Sequence, residues 1–402
     1  LKDLGIKKPD DYLWKNVIKA VGVWMGKNNT DRILRAKLVE IVNSDPLLSP
    51  KATELIQLLE RDGLLLKYPH YSSSRKRSGY HYKFTYHRFS DHLIVRSVLT
   101  ENGIYGDNAS DKARDYLANK PFFKHAMESY NSGLVEALAI QIPERCNGDE
   151  LVWLIDPKYL GHFLIDDAFI EGLKWRDVVT KGKAKSLAFV NNDQASRYAN
   201  EYLTGSDNDV YKIINCILDV CAIPNHPFNA LRLHKILSRD PMPKRDSWWQ
   251  NFLVNGLEEG SALDRIYSWS GSDLVDLASS ESVKLAAIAL MWTMSSTNNT
   301  IRDRSTRATI SLLMHHQEVI PEILEIFFKN DDPYIQERLF AVIYGCFSIN
   351  PNDQAIFRDI VDYICENHFK NKSRRPDALM DDYGRTLIEL YERLYHKVPW
   401  TR

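Results

Sequence analysis

The sequence predicts a mainly α protein with one small β element near its start. Apolar stripes at helical spacing recur along most of the chain, one aromatic stretch alternates with period two, and turn residues break the remainder into helical lengths. At 402 residues the chain exceeds an ordinary single domain, and 44% hydrophobic residues suffice for packed cores. Its 52 Lys and Arg balance 53 Asp and Glu, so binding of nucleic acid by the whole surface is disfavoured and only local patches remain open. Cys146, Cys216, Cys221, Cys346 and Cys365 form no CxxC, which excludes a disulfide framework or a zinc site and predicts reduced, buried thiols. No apolar run of membrane-spanning length and no signal-peptide pattern occurs, from which a cytoplasmic location without a membrane partner is expected. The chain opens on Leu1, so it is expected to be a segment of something longer, with chemistry in the missing part.

Taken in order, residues 1–29 read as a helical lead-in and 30–96 as the first distinct module. Thr30 is expected to cap a helix whose stripe is Leu34, Leu38, Ile41 and Val42, ending near Asn43 to Pro46. Ser49 and Pro50 open a second helix with Ala52, Leu55, Ile56 and Leu59 on one face, and Gly63 supplies a left-handed stop. Leu64 to Tyr68 and then Tyr80, Tyr82, Phe84 and Tyr86, alternating with His81, Lys83 and Thr85, make two strands around a polar tip. Two helices followed by a hairpin with a long tip is the order of a winged helix.

Residues 97–280 are expected to form a helical linker or arm, and 281–402 HEAT-like stacked helices. An internal echo motivates the second assignment: Ile301-Arg302-Asp303-Arg304 and Ile335-Gln336-Glu337-Arg338 each open an apolar helix at the same offset. Asp332, Pro333, Ile335, Arg338 and Ala341 follow the D-P-x-[IV]-x-x-R-x-x-A pattern of HEAT inner helices, in which an aspartate and an arginine tie repeats together. A surface helix merely capped by Asp332 is the plainer alternative. The pattern predicts Arg338 buried at a helix seam beside an acidic partner, with Arg304 in the matching place one repeat earlier.

Catalytic templates are not met. Gly22-Val23-Trp24-Met25-Gly26-Lys27-Asn28 lacks the spacing and hydroxyl of a phosphate loop, His315-His316 lacks a carboxylate at helical spacing, and Asp166-Asp167 stands alone. No catalytic residue, metal site or cofactor is therefore expected in this chain, and no ATPase or nuclease activity. The tip at Arg75, Lys76 and Arg77 is a candidate nucleic-acid contact, since winged helices often place the wing on DNA. The second helix offers bases only Lys51, Thr53, Glu54, Gln57 and Arg61, so direct readout looks poor and a solvated loop is favoured.

The string FTYHRFSDHLIV (84–95) resembles the end of the winged-helix domain in NACHT and related STAND ATPases, with Phe89, Asp91, His92 and Leu93 matching. HPFNALRLHKIL (226–237), MPKRDSWW (242–249, its tryptophan being Trp248 or Trp249), RDRSTRATISLL (302–313) and DDPYIQERLFAVIYG (331–345) resemble the region after the winged helix in antiviral STAND proteins of the AVAST group. The resemblance implies an upstream nucleotide-binding domain holding ATP and magnesium, an effector such as a nuclease, and a sensor for a phage protein of terminase or portal type. It also implies a tetramer of the parent protein. The family histidine that reaches the nucleotide falls on Tyr86, with His87 adjacent, so Tyr86, His87 and Arg88 are expected to face the nucleotide-binding domain. A winged-helix nucleic-acid binder with a helical oligomerisation region is the alternative.

Overall fold

A computed structural model of the chain describes residues 8–71, 77–175 and 207–395. The protein is mainly α and divides into two compact units, Leu1–Tyr198 and Ala199–Arg402. Each unit has its own core and is described by itself.

In unit one, Pro9 with Asp10 and Asp11 in the first turn starts a helix, Pro9–Leu13, that continues through a π-helical turn, Trp14–Ile18, into Lys19–Lys27. Val17, Val21 and Met25 bury one stripe of it. Gly22 and Gly26 set how closely it lies against the helix His87–Glu101: a Cβ on Gly22 would meet Leu93 Cγ at 2.7 Å, and one on Gly26 would meet Val98 Cγ2 at 2.5 Å. The string that fell short of a phosphate loop is thus a helix-packing seam.

Strand β1 (Ile33–Leu34), the helix Arg35–Asn43, a 3-10 turn Ser49–Lys51, the helix Ala52–Arg61, β2 (Leu65–Tyr71) and β3 (Arg77–Phe84) follow. The sheet order is β1-β3-β2, antiparallel throughout, with Ile33 opposite Tyr82 and Leu65 opposite Phe84. Ile33, Leu65, Tyr82 and Phe84 are buried with Leu38, Val42, Leu55, Ile56 and Leu59 of the two helices. Gly63, at φ +73°, makes the left-handed turn into β2.

The start of this region differs from the sequence expectation. Thr30 caps no helix; its hydroxyl accepts from the Arg32 amide, and Ile33 and Leu34 pair with β3 before the helix begins at Arg35. Leu34, placed on the helical stripe by spacing, is 44% exposed. Pairing across the sheet overrode local capping because two ladder partners were available at Tyr82 and His81.

The expected boundary at 96/97 falls inside His87–Glu101, which is sandwiched between Lys19–Lys27 and Ser132–Arg145. Phe163–Lys174 packs on Ser132–Arg145, so these helices share a core with the sheet-bearing part. The expected arm 97–280 is accordingly split between the two units.

Unit two is two rows of helices. Asp207–Asp219, Ala262–Ser270, Asn299–Leu313, Pro333–Ile349 and Ala378–Tyr395 pack each on the next, and Ala230–Leu237, Ser280–Thr293, Ile320–Phe328 and Gln354–Ile364 form the second row. Ser280–Thr293 opens on a polar turn and is apolar all round from Leu285 to Trp292, which are fully enclosed, as a central helix requires. The two helices of the internal echo, Asn299–Leu313 and Pro333–Ile349, are neighbours in one row. The helix Met242–Asn255 adds Trp249, whose indole N–H donates to Ser295 Oγ at 3.0 Å and to the Trp292 carbonyl at 3.2 Å. All five cysteines are free and buried. Among the described residues no helix is long and apolar enough to cross a membrane.

Candidate functional site

The first site candidate is the exit of β3. Tyr86 occupies the N-cap position of His87–Glu101 in extended geometry, and its side chain is 69% exposed. His87 is exposed, with Nε2 3.3 Å from Lys83 Nζ. Arg88 is exposed but engaged: it donates to Glu171 Oε1 at 2.9 Å, and its guanidinium lies 4.8 Å from the Trp175 ring centroid. Burial pushes the Glu171 carboxyl up, and hydrogen bonds from Arg88, Lys174 and Trp175 outweigh it, holding the pKa down at about 2. Arg88 therefore ties its helix to Phe163–Lys174, and Tyr86 and His87 form the outward surface at this corner.

Asp91 and His92, also in the resembling string, point into the unit. Asp91 Oδ2 sits over Gly133 at the start of Ser132–Arg145, where a Cβ would lie only 2.1 Å away. Burial, then the charges of Asp31 and Glu136, push its pKa up to about 7. The carboxylate lines a cavity of about 450 Å³ with Asp31, His125 and Tyr130. The His92 carbonyl accepts from Gln141 Nε2 at 2.8 Å, and burial lowers the imidazole pKa. No group of three or more His, Cys, Asp or Glu side chains among the described residues is arranged to hold a metal ion.

The second candidate is a series of charged seams in unit two. Arg304 Nη2 donates to Asp264 Oδ1 at 2.6 Å, and its guanidinium covers the Tyr267 ring at 4.5 Å. Arg338 Nη1 lies 3.1 Å from Asp303 Oδ1 on the preceding helix of the row. Each arginine of the echo thus reaches back to an aspartate one helix earlier. Neither is enclosed: the Arg338 side chain is 23% exposed and Asp303 more than half, so the expected buried arginine is not Arg338. Pro333–Ile349 presents Arg338 at the seam with its Nη1 on the half-exposed Asp303, while its Nε is enclosed 3.7 Å from Glu337 Oε1.

The enclosed arginine is Arg245, only 1% exposed. It donates from Nη1 to Asp331 Oδ1 at 2.8 Å and from Nη2 to Asp332 Oδ2 at 3.4 Å, while its guanidinium lies 5.1 Å from the Trp292 ring centroid. Asp332, buried, also caps Pro333–Ile349 by accepting from the Tyr334 and Ile335 amides. Burial raises the Asp332 pKa against the lowering effect of Arg245. Sequence reasoning picked out Asp332 but not Arg245. The available signal was an arginine on the apolar stripe that continues through Trp249, Phe252 and Leu253.

Of the tip candidates, Arg75 and Lys76 lie outside the described residues, and Arg77 opens β3 opposite Tyr71. Comparison with protein-family models, with curated proteins and with solved structures yields no match.

Proposed function

We propose that this chain is a non-catalytic regulatory and protein-sensing segment of an antiphage STAND NTPase, built as a winged-helix module followed by HEAT-like repeats. The observation that carries the proposal is the element order of unit one: helix, short strand, two helices and a hairpin, with the short strand beside the last one in the order β1-β3-β2. That order is what a winged helix requires, and it ends at exposed Tyr86 and His87, where the family resemblance puts the nucleotide-binding domain. The two rows of unit two, with aspartate–arginine pairs between successive helices, support the HEAT-like part. In this scheme ATP and magnesium belong to the upstream domain, and an extended face of the helical rows takes a phage protein of terminase or portal type.

The test is direct binding of the purified chain to purified large terminase subunits and portal proteins, with calorimetric titration of ATP alongside. The expected result is saturable binding of one phage protein and no ATP heat. Micromolar ATP binding by the chain, or indifference to every phage protein tried in the context of a parent that protects cells, sinks the proposal.

A second reading, a winged-helix nucleic-acid binder with a helical oligomerisation region, is favoured by one face of the hairpin. Tyr68 and His81 stack at 5.6 Å there, with Lys83 5.0 Å from the Tyr68 ring. Tight duplex binding with a steep salt slope would select it.

A further inference from the structure

A groove runs along the helix His87–Glu101 on the side away from the Asp91 cavity. Two cavities of about 620 and 220 Å³ share Trp14, Leu93 and Arg96, so they form one continuous depression. Its floor runs from Phe89 to Thr100, a rise of roughly 16 Å at 1.5 Å per residue, which matches about five residues of extended chain. The walls come from the helical run starting at Pro9 and from Ser132–Arg145.

The charges along it are lopsided. Lys15 and Lys19 line one end, Arg96 the middle and Arg145 the other, against the single carboxylate of Glu144. Among the described residues none of these four cations forms an ion pair. Arg145 is held in place by donating to Thr100 Oγ1 at 3.3 Å and to the Ile104 carbonyl at 3.4 Å. Burial, and then the like charge of Arg96, lower its pKa against the raising effect of Glu144, so an arriving anion would relieve a repulsion between the two arginines. Between the cations lie Trp14, Phe89, Leu93 and Ile140, an apolar strip.

We propose that this groove binds an acidic segment of a partner protein, with carboxylates on Lys15, Lys19, Arg96 and Arg145 and apolar side chains on the strip between them. A phosphate ligand fits less well. The donors are spread along the groove, from Ser90 onward the floor is helix backbone whose N–H groups are already bonded, and Glu144 stands on the wall. Alternation of charge and apolar surface matches an acidic amphipathic peptide by complementarity of both kinds. The inference rests on unit one's side chains alone and not on the assignment to a defence ATPase.

The probe is a fluorescein-labelled peptide of about ten residues that alternates Glu or Asp with Leu or Phe, a length chosen to overfill the groove. Anisotropy is read on the whole chain, with Trp14 emission as a second signal. Saturable binding is expected to weaken about tenfold for Arg96→Glu and for Lys19→Glu, and to weaken with added salt. Lys124→Glu, at an exposed site that lines neither cavity, should leave it unchanged. Arg96→Gln, which keeps most of the stem, guards against misfolding of the reversed variant and should lose part of the affinity. Trp14→Phe should abolish the emission change while retaining most of the anisotropy. Equal binding of a basic peptide of the same length, preference for polyphosphate or a single-stranded oligonucleotide, or unchanged affinity in folded Arg96→Gln and Arg96→Glu variants overturns the proposal.

Discussion

Replacing Arg245 by Met removes a charge from the most enclosed ion pair described in unit two and leaves an apolar side chain that fills the place of the arginine stem. The loss has two parts. Asp332, buried, keeps its cap bonds to the Tyr334 and Ile335 amides but loses the one cationic partner it has among the described residues, while Asp331, half exposed, recovers water in place of a 2.8 Å bond. Breaking one side of such a buried pair costs about 3 to 5 kcal/mol, nearly all of it the stranded Asp332 charge. With a urea slope of about 2 kcal/mol/M, the unfolding midpoint of unit two should fall by roughly 2 M. The pH dependence fixes the cause. Asp332 already has a raised pKa, and losing Arg245 raises it further, so the folded state binds its proton more tightly than the unfolded state. The destabilisation is therefore fully expressed at neutral pH and shrinks as the pH falls through the carboxylate range. Urea titrations followed by tryptophan emission at neutral and acid pH measure both effects. A midpoint shift under about 0.5 M, or a loss that does not shrink in acid, refutes the stranded-charge reasoning.

Arg338→Met, in contrast, should cost under about 1 kcal/mol by the same titration, because its pair with Asp303 is open to water. Asp91→Asn should stabilise unit one at pH 8 but not at pH 4. The wild-type carboxyl, raised to about 7, contributes stability below its ordinary range and loses it as pH rises towards 7, so the two thermal melting curves should converge in acid. Gly22→Ala should destabilise by about 1 to 3 kcal/mol despite the better helix propensity of alanine, because its Cβ meets Leu93 Cγ in a closed seam; an unchanged melting temperature would show that the seam can open freely. Arg88→Ala should raise the Glu171 carboxyl pKa from about 2 by removing one of its three donors, which an NMR pH titration reads directly.

Local chemistry by itself determined the elements whose partners lie nearby in the chain. The stripe of Ala52, Leu55, Ile56 and Leu59, the left-handed stop at Gly63 and the alternation of Tyr82 and Phe84 all appear where spacing places them, since each depends on a few adjacent residues and one buried face. The repeat of Ile301 to Arg304 at Ile335 to Arg338 likewise marked two helices that stand side by side. Only the tertiary structure decided what lies opposite. Ile33 and Leu34 became a strand because β3 offered them backbone partners from about fifty residues away, which no local pattern encodes. Arg338 and Arg245 carry the same group, yet the first pairs with an aspartate that is more than half exposed and the second is sealed with buried Asp332 under Trp292, because burial of a charge is set by the helix laid across it. The basic groove was equally illegible: Lys15, Arg96 and Arg145 lie far apart in the chain, and only the packing of three helices brings their charges to one surface, where Glu144 is the one carboxylate among the described lining residues.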